Sequence, residues 1–228
     1  MRDEPRHPLG VLFDLDGTLL DTAPDLAAAL NFARQEVLSL GPVRPERLQG
    51  LVTKGARAMI SDDLPAGLTD ADLDLVQSTM LGYYREHIAD FTDFFAGIPN
   101  VIDHFDKHHL KWGVVTNKLS VYALPLLEAM KLHKRAHCVL CADMVDSPKP
   151  APDALLEAAA NLGLPANQCV YVGDAKTDMV AARNAGMFAA AAEWGYIAAD
   201  DVIASWPFDK RFANPKLLLE WIKNLPGN

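Results

Sequence analysis

Five short apolar runs, each closed by polar residues or glycine, constrain what this chain can fold into more than any other feature. They are Gly10–Phe13, ending in DLDGT; Trp112–Val115, ending in TNK; Cys138–Ala142; Cys169–Val172, ending in GDAKTD; and a weaker run, Phe188–Ala192. Runs of four or five apolar residues without alternation fit strands buried on both faces. Helical patterns fall between the later runs: Val121–Met130; Pro152–Leu162, closed by Gly163; and Asp178–Ala185, closed by Gly186. Glycine just past a helix end takes the left-handed conformation that closes it. Strand and helix alternate, so the expected fold class is α/β, a doubly wound parallel sheet.

Between the first two runs the pattern changes. From about residue 21 to 93 there is no convincing strand. Pro24 stands where a first helical turn would begin, and Leu26, Leu30, Ala33 and Val37 repeat at helical spacing. Pro45–Leu51 leads into a basic turn, Lys54-Gly55-Ala56-Arg57, and Asp70–Ile88 is long and amphipathic. The expected organisation is a core of residues 1–20 and 94–228, interrupted by an all-helical cap domain of residues 21–93.

Lys and Arg number 21 against 30 Asp and Glu, a net charge of -9. Such a chain is poorly suited to nucleic acid or to an anionic membrane surface, and neither is an expected partner. If it handles a phosphate, it must gather positive charge locally. Its three cysteines suggest no disulfide framework. Cys138 and Cys141, three apart on an expected strand, face opposite sides of it, which argues against a zinc pair. The N-terminal MRDEPRHP is charged, carries Pro5 and Pro8, and lacks the apolar stretch of a signal peptide. No run approaches the ~18 apolar residues of a membrane span, so the expected compartment is the cytoplasm.

In an open parallel sheet, ligands bind beyond the carboxyl ends of the strands, and this chain places polar sets there. Asp14 and Asp16 lie two apart on an extended chain and point the same way. Buried carboxylates so close repel unless a cation joins them or one holds a proton. Either state serves phosphoryl transfer, with one group attacking phosphorus and the other handing a proton to the leaving oxygen. Gly17 lets the chain turn so that its backbone faces a phosphate. A solvated Asp-Gly turn is the plainer alternative, but it leaves the polar sets at other strand ends unexplained. Thr116 and Asn117 follow the second run, where a hydroxyl and backbone N–H groups ahead of a helix make a neutral phosphate clamp. Taken alone, a Thr there is equally an ordinary strand-end residue. Lys149, between Pro148 and Pro150, could offset both a phosphate and Asp14, or be a solvated loop lysine. Asp174, directly after a buried strand, suits a magnesium ligand. Asp178 could cap the next helix, orient Lys149 or hold a metal-bound water.

In their order and spacing these groups resemble the four signatures of the haloacid dehalogenase-like phosphatases, and the likeness covers nearly the whole chain. DLDGT resembles the first signature, Thr116 the second, Lys149 with Pro150 the third, and Gly173-Asp174 with Asp178 the fourth. The resemblance implies a Rossmann-like core, Mg2+ as cofactor, Asp14 as nucleophile and Asp16 as general acid and base. Asp14, the backbone carbonyl of Asp16 and Asp174 would be the metal ligands; Thr116 and Lys149 would bind the phosphoryl group. Asp178, Asn117 and Gly17 would support them. The helical insert sits where the family's cap sits, and Lys54, Gly55 and Arg57 resemble its specificity loop. Arg57 could hold a substrate carboxylate through paired hydrogen bonds, or simply lie on a solvated helix face.

Within the family the chain most resembles the phosphoglycolate phosphatase branch, to which TNK and Trp194-Gly195-Tyr196 add. It also resembles phosphatases of N-acetylmuramic acid 6-phosphate in GARAM and WGVVTNK. The expected partner is therefore a small phosphate ester, with the chain a monomer or a homodimer. A sugar phosphomutase would keep every core residue, and a bisphosphate requirement would reveal it. A non-catalytic relative usually lacks a core carboxylate or the lysine, and none is missing here. His104, His108 and His109, among Asp103, Asp106 and Lys107, read as a solvated helix face. Trp112, Trp194, Trp206 and Trp221 read as packing residues, Trp194 near enough to the fifth run to line the cleft. Pro207–Asn214 is only a doubtful last strand.

Overall fold

The computed structural model describes residues 9–65, 67–198 and 202–225. Residues 1–8, read above as free of a signal peptide, lie outside the described residues. The strands are β1 (Gly10–Phe13), β2 (Leu20–Asp21), β3 (Asp93–Phe94), β4 (Lys111–Val115), β5 (Val139–Leu140), β6 (Cys169–Gly173), β7 (Phe188–Ala192) and β8 (Lys210–Phe212). The helices are α1 (Ala23–Leu38), α2 (Pro45–Val52), α3 (Ala56–Asp63), α4 (Asp70–Glu86), α5 (Ile98–Lys107), α6 (Ser120–Ala129), α7 (Asp153–Leu162), α8 (Lys176–Ala185) and α9 (Pro215–Lys223).

Six strands form one parallel sheet in the order β5–β4–β1–β6–β7–β8. Strand β1 is central, Leu12 lying between Gly113 of β4 and Tyr171 of β6. Alternate residues of each strand point to opposite faces, and the two faces carry separate apolar clusters. Val11, Phe13, Val114 and Val172 pack with α5, α6 and α9 on one side. Leu12, Val115, Tyr171 and Ala189 pack with α7 and α8 on the other. Both faces are thus covered by helices, as expected for runs without alternation. Cys141 belongs to the first cluster, while Cys138 packs against the second, so the two thiols do face opposite ways.

Strand β8 settles the doubtful segment: it adds in parallel beside β7, pairing Ala190 with Lys210 and Ala192 with Phe212. It escaped a clear reading because it is a short edge strand, with Lys210 and Arg211 polar and only Phe212 buried.

Helices α1 to α4 enclose a third apolar cluster, built on Leu26, Leu30, Leu48, Ile60, Val76, Met80 and Tyr84 and joined by Tyr196 from beyond β7. The chain leaves and re-enters the sheet region through an antiparallel pair, Leu20 with Phe94 and Asp21 with Asp93. These two-residue strands are too short to give a period. A second tie adjoins them. The buried carboxylate of Asp25, in the first turn of α1, accepts hydrogen bonds from the Phe91 and Thr92 backbone N–H groups and from the Thr92 hydroxyl. Among the described residues no helix is long and apolar enough to cross a membrane.

Candidate active site

The site opens where the chain order reverses around β1. From there one path runs through β4 to β5 and the other through β6 to β8, leaving a crevice at the strand ends. Asp14 follows β1 directly, and its N–H continues the ladder by donating to the Val172 carbonyl at 2.9 Å. Its Oδ1 accepts from Leu15 N–H at 2.8 Å and lies 3.0 Å from Lys149 Nζ. Its Oδ2 has no hydrogen-bond partner among the described residues, so one carboxylate oxygen is fixed and the other is left open.

Lys149 is a buried lysine, not a solvated one, at 4% exposure. Its Nζ also contacts Asp178 Oδ1 at 2.8 Å, the Tyr171 hydroxyl at 2.7 Å and the Val115 carbonyl at 3.1 Å. Burial works against its charge, yet Asp14 and Asp178 outweigh it and raise its pKa. Asn117 fixes the lysine's backbone: its side chain donates to the Lys149 carbonyl at 2.9 Å and accepts from the Lys149 N–H at 3.1 Å. Asp178 serves two of the uses left open for it. Oδ1 holds Lys149, and Oδ2 accepts from Ala175 N–H at 3.0 Å at the start of α8.

Asp174 is clamped from two sides. Oδ1 accepts from the Thr18 hydroxyl at 2.9 Å, and Oδ2 accepts from Tyr196 N–H at 2.7 Å. Gly17 and Gly195 make the close approach possible, since a Cβ on either would overlap the Asp174 carboxylate, and Gly17 also has φ +85°. Trp194 does not line the cavity; its indole N–H donates to the Thr18 carbonyl at 3.0 Å.

Asp14, Asp174 and Asp178 each bring a carboxylate oxygen within 4.8 Å of the others, and all three are buried. Burial, then the charges of Asp178 and Asp16 against the pull of Lys149, pushes Asp14 up to about 7. Burial and the charges of Asp14 and Asp178 lift Asp174 well above the usual carboxylate range. Three carboxylates around one ammonium leave an excess of negative charge. An all-oxygen set of this kind fits a hard divalent cation.

Asp16 is not part of that cluster. Its Oδ1 accepts from the Thr22 hydroxyl at 2.5 Å and from Lys118 Nζ at 2.9 Å. It nevertheless lines the same cavity, about 400 Å3, as Asp14, Thr116, Asn117, Lys149 and Asp178. Lys54, Gly55 and Arg57 lie on the wall contributed by the helical insert. Arg57 already has partners there: Asp74 at 2.7 Å, Gln77 at 3.4 Å and Asp70 at 3.8 Å.

Sequence reasoning missed Tyr171, Lys118, Tyr84 and the Tyr196 N–H. Tyr171 stands inside an apolar run and reads as core; only its hydroxyl, useless in a dry interior without a partner, hinted otherwise. Lys118 was visible in TNK but carried no assignment.

A family model described as haloacid dehalogenase-like hydrolase matches residues 11–192. The chain belongs to that family, and it is an enzyme of the hydrolase class. It is 36% identical over 210 residues to an N-acetylmuramic acid 6-phosphate phosphatase of Pseudomonas aeruginosa, covering 92% of each chain. It is 37% identical over 219 residues to a phosphoglycolate phosphatase of Xanthomonas campestris, covering 94% of this chain and 96% of that protein. Among solved structures, a predicted phosphoglycolate phosphatase from Haemophilus somnus superposes with a TM-score of 0.82 at 24% identity, over 93% of this chain and 96% of the other; this likeness is one of fold.

Proposed function

We propose that the protein is a magnesium-dependent phosphomonoester hydrolase that works through an aspartyl-phosphate on Asp14. The observation that carries this reading is the unequal environment of the Asp14 carboxylate: Oδ1 is held by Leu15 N–H and Lys149, while Oδ2 has no partner among the described residues. A nucleophile needs one oxygen fixed for aim and the other open for attack.

Asp14 Oδ2 attacks phosphorus, the bond from phosphorus to the substrate's alcohol oxygen breaks, and Asp16 gives that oxygen its proton. Water then attacks the phosphorus of the aspartyl-phosphate, Asp16 takes a proton from it, and the bond to Asp14 breaks to release phosphate. Lys149 and the Thr116 hydroxyl stabilise the charge on the transferring group. Asp14 and Asp174, with the backbone carbonyl of Asp16, are proposed to hold Mg2+; Asp178 orients Lys149 beside them. When bound, the ion supplies positive charge to the phosphoryl oxygens. Asn117 and Gly17 act through the groups they position.

The core is proposed to comprise residues 1–20 and 94–228, and the helices of 21–93 to act as a cap. Lys54, Gly55 and Arg57 then select among substrates from the cap side. The substrate proposed first is phosphoglycolate, with N-acetylmuramic acid 6-phosphate or another sugar phosphate as the alternative; the two named relatives support both. A cavity of about 400 Å3 falls within the range that takes drug-sized ligands, so it has room for either.

The test is kcat/KM with magnesium across phosphate monoesters. One substrate at least about a hundredfold above the rest, roughly 2.7 kcal/mol of discrimination, names the function. No metal-dependent hydrolysis of any of them sinks the proposal.

A further inference from the structure

Two adjoining side chains on the cavity wall carry more donors than the described residues supply acceptors for. The Lys118 side chain is only 9% exposed, and its Nζ donates to Asp16 Oδ1 at 2.9 Å. An ammonium has three N–H groups; Asp16 and the neighbouring Tyr84 oxygen answer two of them, so one lacks an acceptor among the described residues. The Tyr84 hydroxyl, on α4, is buried; its oxygen faces Lys118, and among the described residues its O–H has no acceptor. Burial, against the opposing charge of Lys118, pushes its pKa up to about 12, so at neutral pH it is an uncharged donor. The two groups adjoin: Lys118 Nζ lies over the Tyr84 ring, 4.8 Å from its centroid. Both residues line the cavity that holds Asp14.

A buried donor left without an acceptor costs about 1–3 kcal/mol, and a charged one more. Two such donors converging on a cavity therefore mark a place that a ligand completes. The completing group is an acceptor, and the ammonium favours an anionic one. The phosphoryl group has its own partners in Lys149 and Thr116. Lys118 begins one step further out, its backbone N–H donating to the Thr116 hydroxyl oxygen at 3.1 Å.

We propose that Lys118, from the core, and Tyr84, from the helical insert, bind a carboxylate that the substrate carries in addition to its phosphate. This rests on the phosphatase reading above. It places the carboxylate contact at Lys118 in the interior, whereas Arg57 is engaged by Asp74 and Gln77.

The experiment is kcat/KM on two matched pairs of substrates. One is phosphoglycolate against 2-hydroxyethyl phosphate; the other is N-acetylmuramic acid 6-phosphate against N-acetylglucosamine 6-phosphate. In each pair only the first member has a carboxylate, and the readout is the ratio within the pair. The wild-type protein is expected to favour the carboxylate in at least one pair. Lys118→Met should lower that ratio about thirtyfold and Tyr84→Phe about threefold to tenfold, the ranges for losing a charged and a neutral hydrogen bond. Arg57→Ala should change the ratio less than either. The proposal is overturned if the wild type shows no carboxylate preference, if both variants lower the two members of a pair equally, or if only Arg57→Ala collapses the ratio. Equal loss on both members would make Lys118 a positioning residue for Asp16 instead. Should Lys118→Met fail to fold, Tyr84→Phe, which keeps the packed ring, decides alone. A wild-type protein that hydrolyses no phosphate ester, p-nitrophenyl phosphate included, takes the phosphatase reading down and this subsite with it. A working phosphatase with unmoved ratios removes the subsite alone.

Discussion

The sheet region and the helical insert handle charge in opposite ways. Around β1, β4 and β6 the charged groups are buried and hold one another: Lys149 meets Asp14 and Asp178 at 3.0 and 2.8 Å, with side chains 2%, 11% and 1% exposed. In the insert, Arg57 meets Asp74 at 2.7 Å with the two side chains 41% and 73% exposed. A buried ionic group whose partner is removed is left uncompensated, at a cost of about 3–5 kcal/mol, whereas exposed pairs contribute about 0–1 kcal/mol. The core is thus built to keep a fixed constellation, and the insert to present a surface that rearranges cheaply. The buried set includes Lys118, proposed above to bind substrate, so the contrast is between fixed and rearrangeable charge.

Substitutions test that contrast, and the largest effect is expected in the core. Asp14→Asn should lower turnover of every phosphate ester by at least about 10,000-fold, some 5.5 kcal/mol of transition-state stabilisation, while circular dichroism stays native. A loss that varied from substrate to substrate would break the assignment of Asp14 to the chemical step. Next comes the clamp on Asp174. Gly17→Ala forces a Cβ into its carboxylate at a positive φ. The magnesium concentration for half-maximal activity should rise at least about tenfold, since groups that orient metal ligands typically matter 10–100-fold. An unchanged magnesium requirement would detach Asp174 from the metal.

At the junction, Asp25→Ala removes the acceptor of two backbone N–H groups and of the Thr92 hydroxyl. Stability in a urea melt should fall by about 2–4 kcal/mol, from the cost of buried groups left unpaired. Turnover measured well below the melting transition should change far less than in Asp14→Asn. If it falls as far, the insert does more than cover the site. The smallest effect belongs to Arg57→Ala, expected to raise KM for the preferred substrate about threefold to fivefold, the equivalent of up to about 1 kcal/mol, and for an aryl phosphate hardly at all. Equal effects on both would remove its selecting role.

The sequence was most readable where one physical rule acted alone. The run Gly10–Phe13 and the run Phe188–Ala192 match β1 and β7 to the residue, because strands buried on both faces must be apolar throughout. Gly163 and Gly186 close α7 and α8 in the left-handed conformation, at φ 64° and 79°. Reading was weakest where neighbours in space decide. The edge strand β8 takes its place from β7, and β2 and β3 exist only because they meet each other. Arg57 looked available for a substrate until α4 brought Asp74 to it.

By itself, then, the chain determined a parallel sheet with a helical insert, and it determined which polar residues stand at the strand ends. Those properties follow from local patterns of apolar residues and from chain order. Only the tertiary structure decided who meets whom. It set Asp178 and Tyr171 on Lys149, Gly195 and Tyr196 against Asp174, and Lys118 with Tyr84 across the boundary between core and insert. These partners are separated by up to tens of residues along the chain. A hydrogen bond depends on distance and angle in space, which spacing along the sequence does not encode.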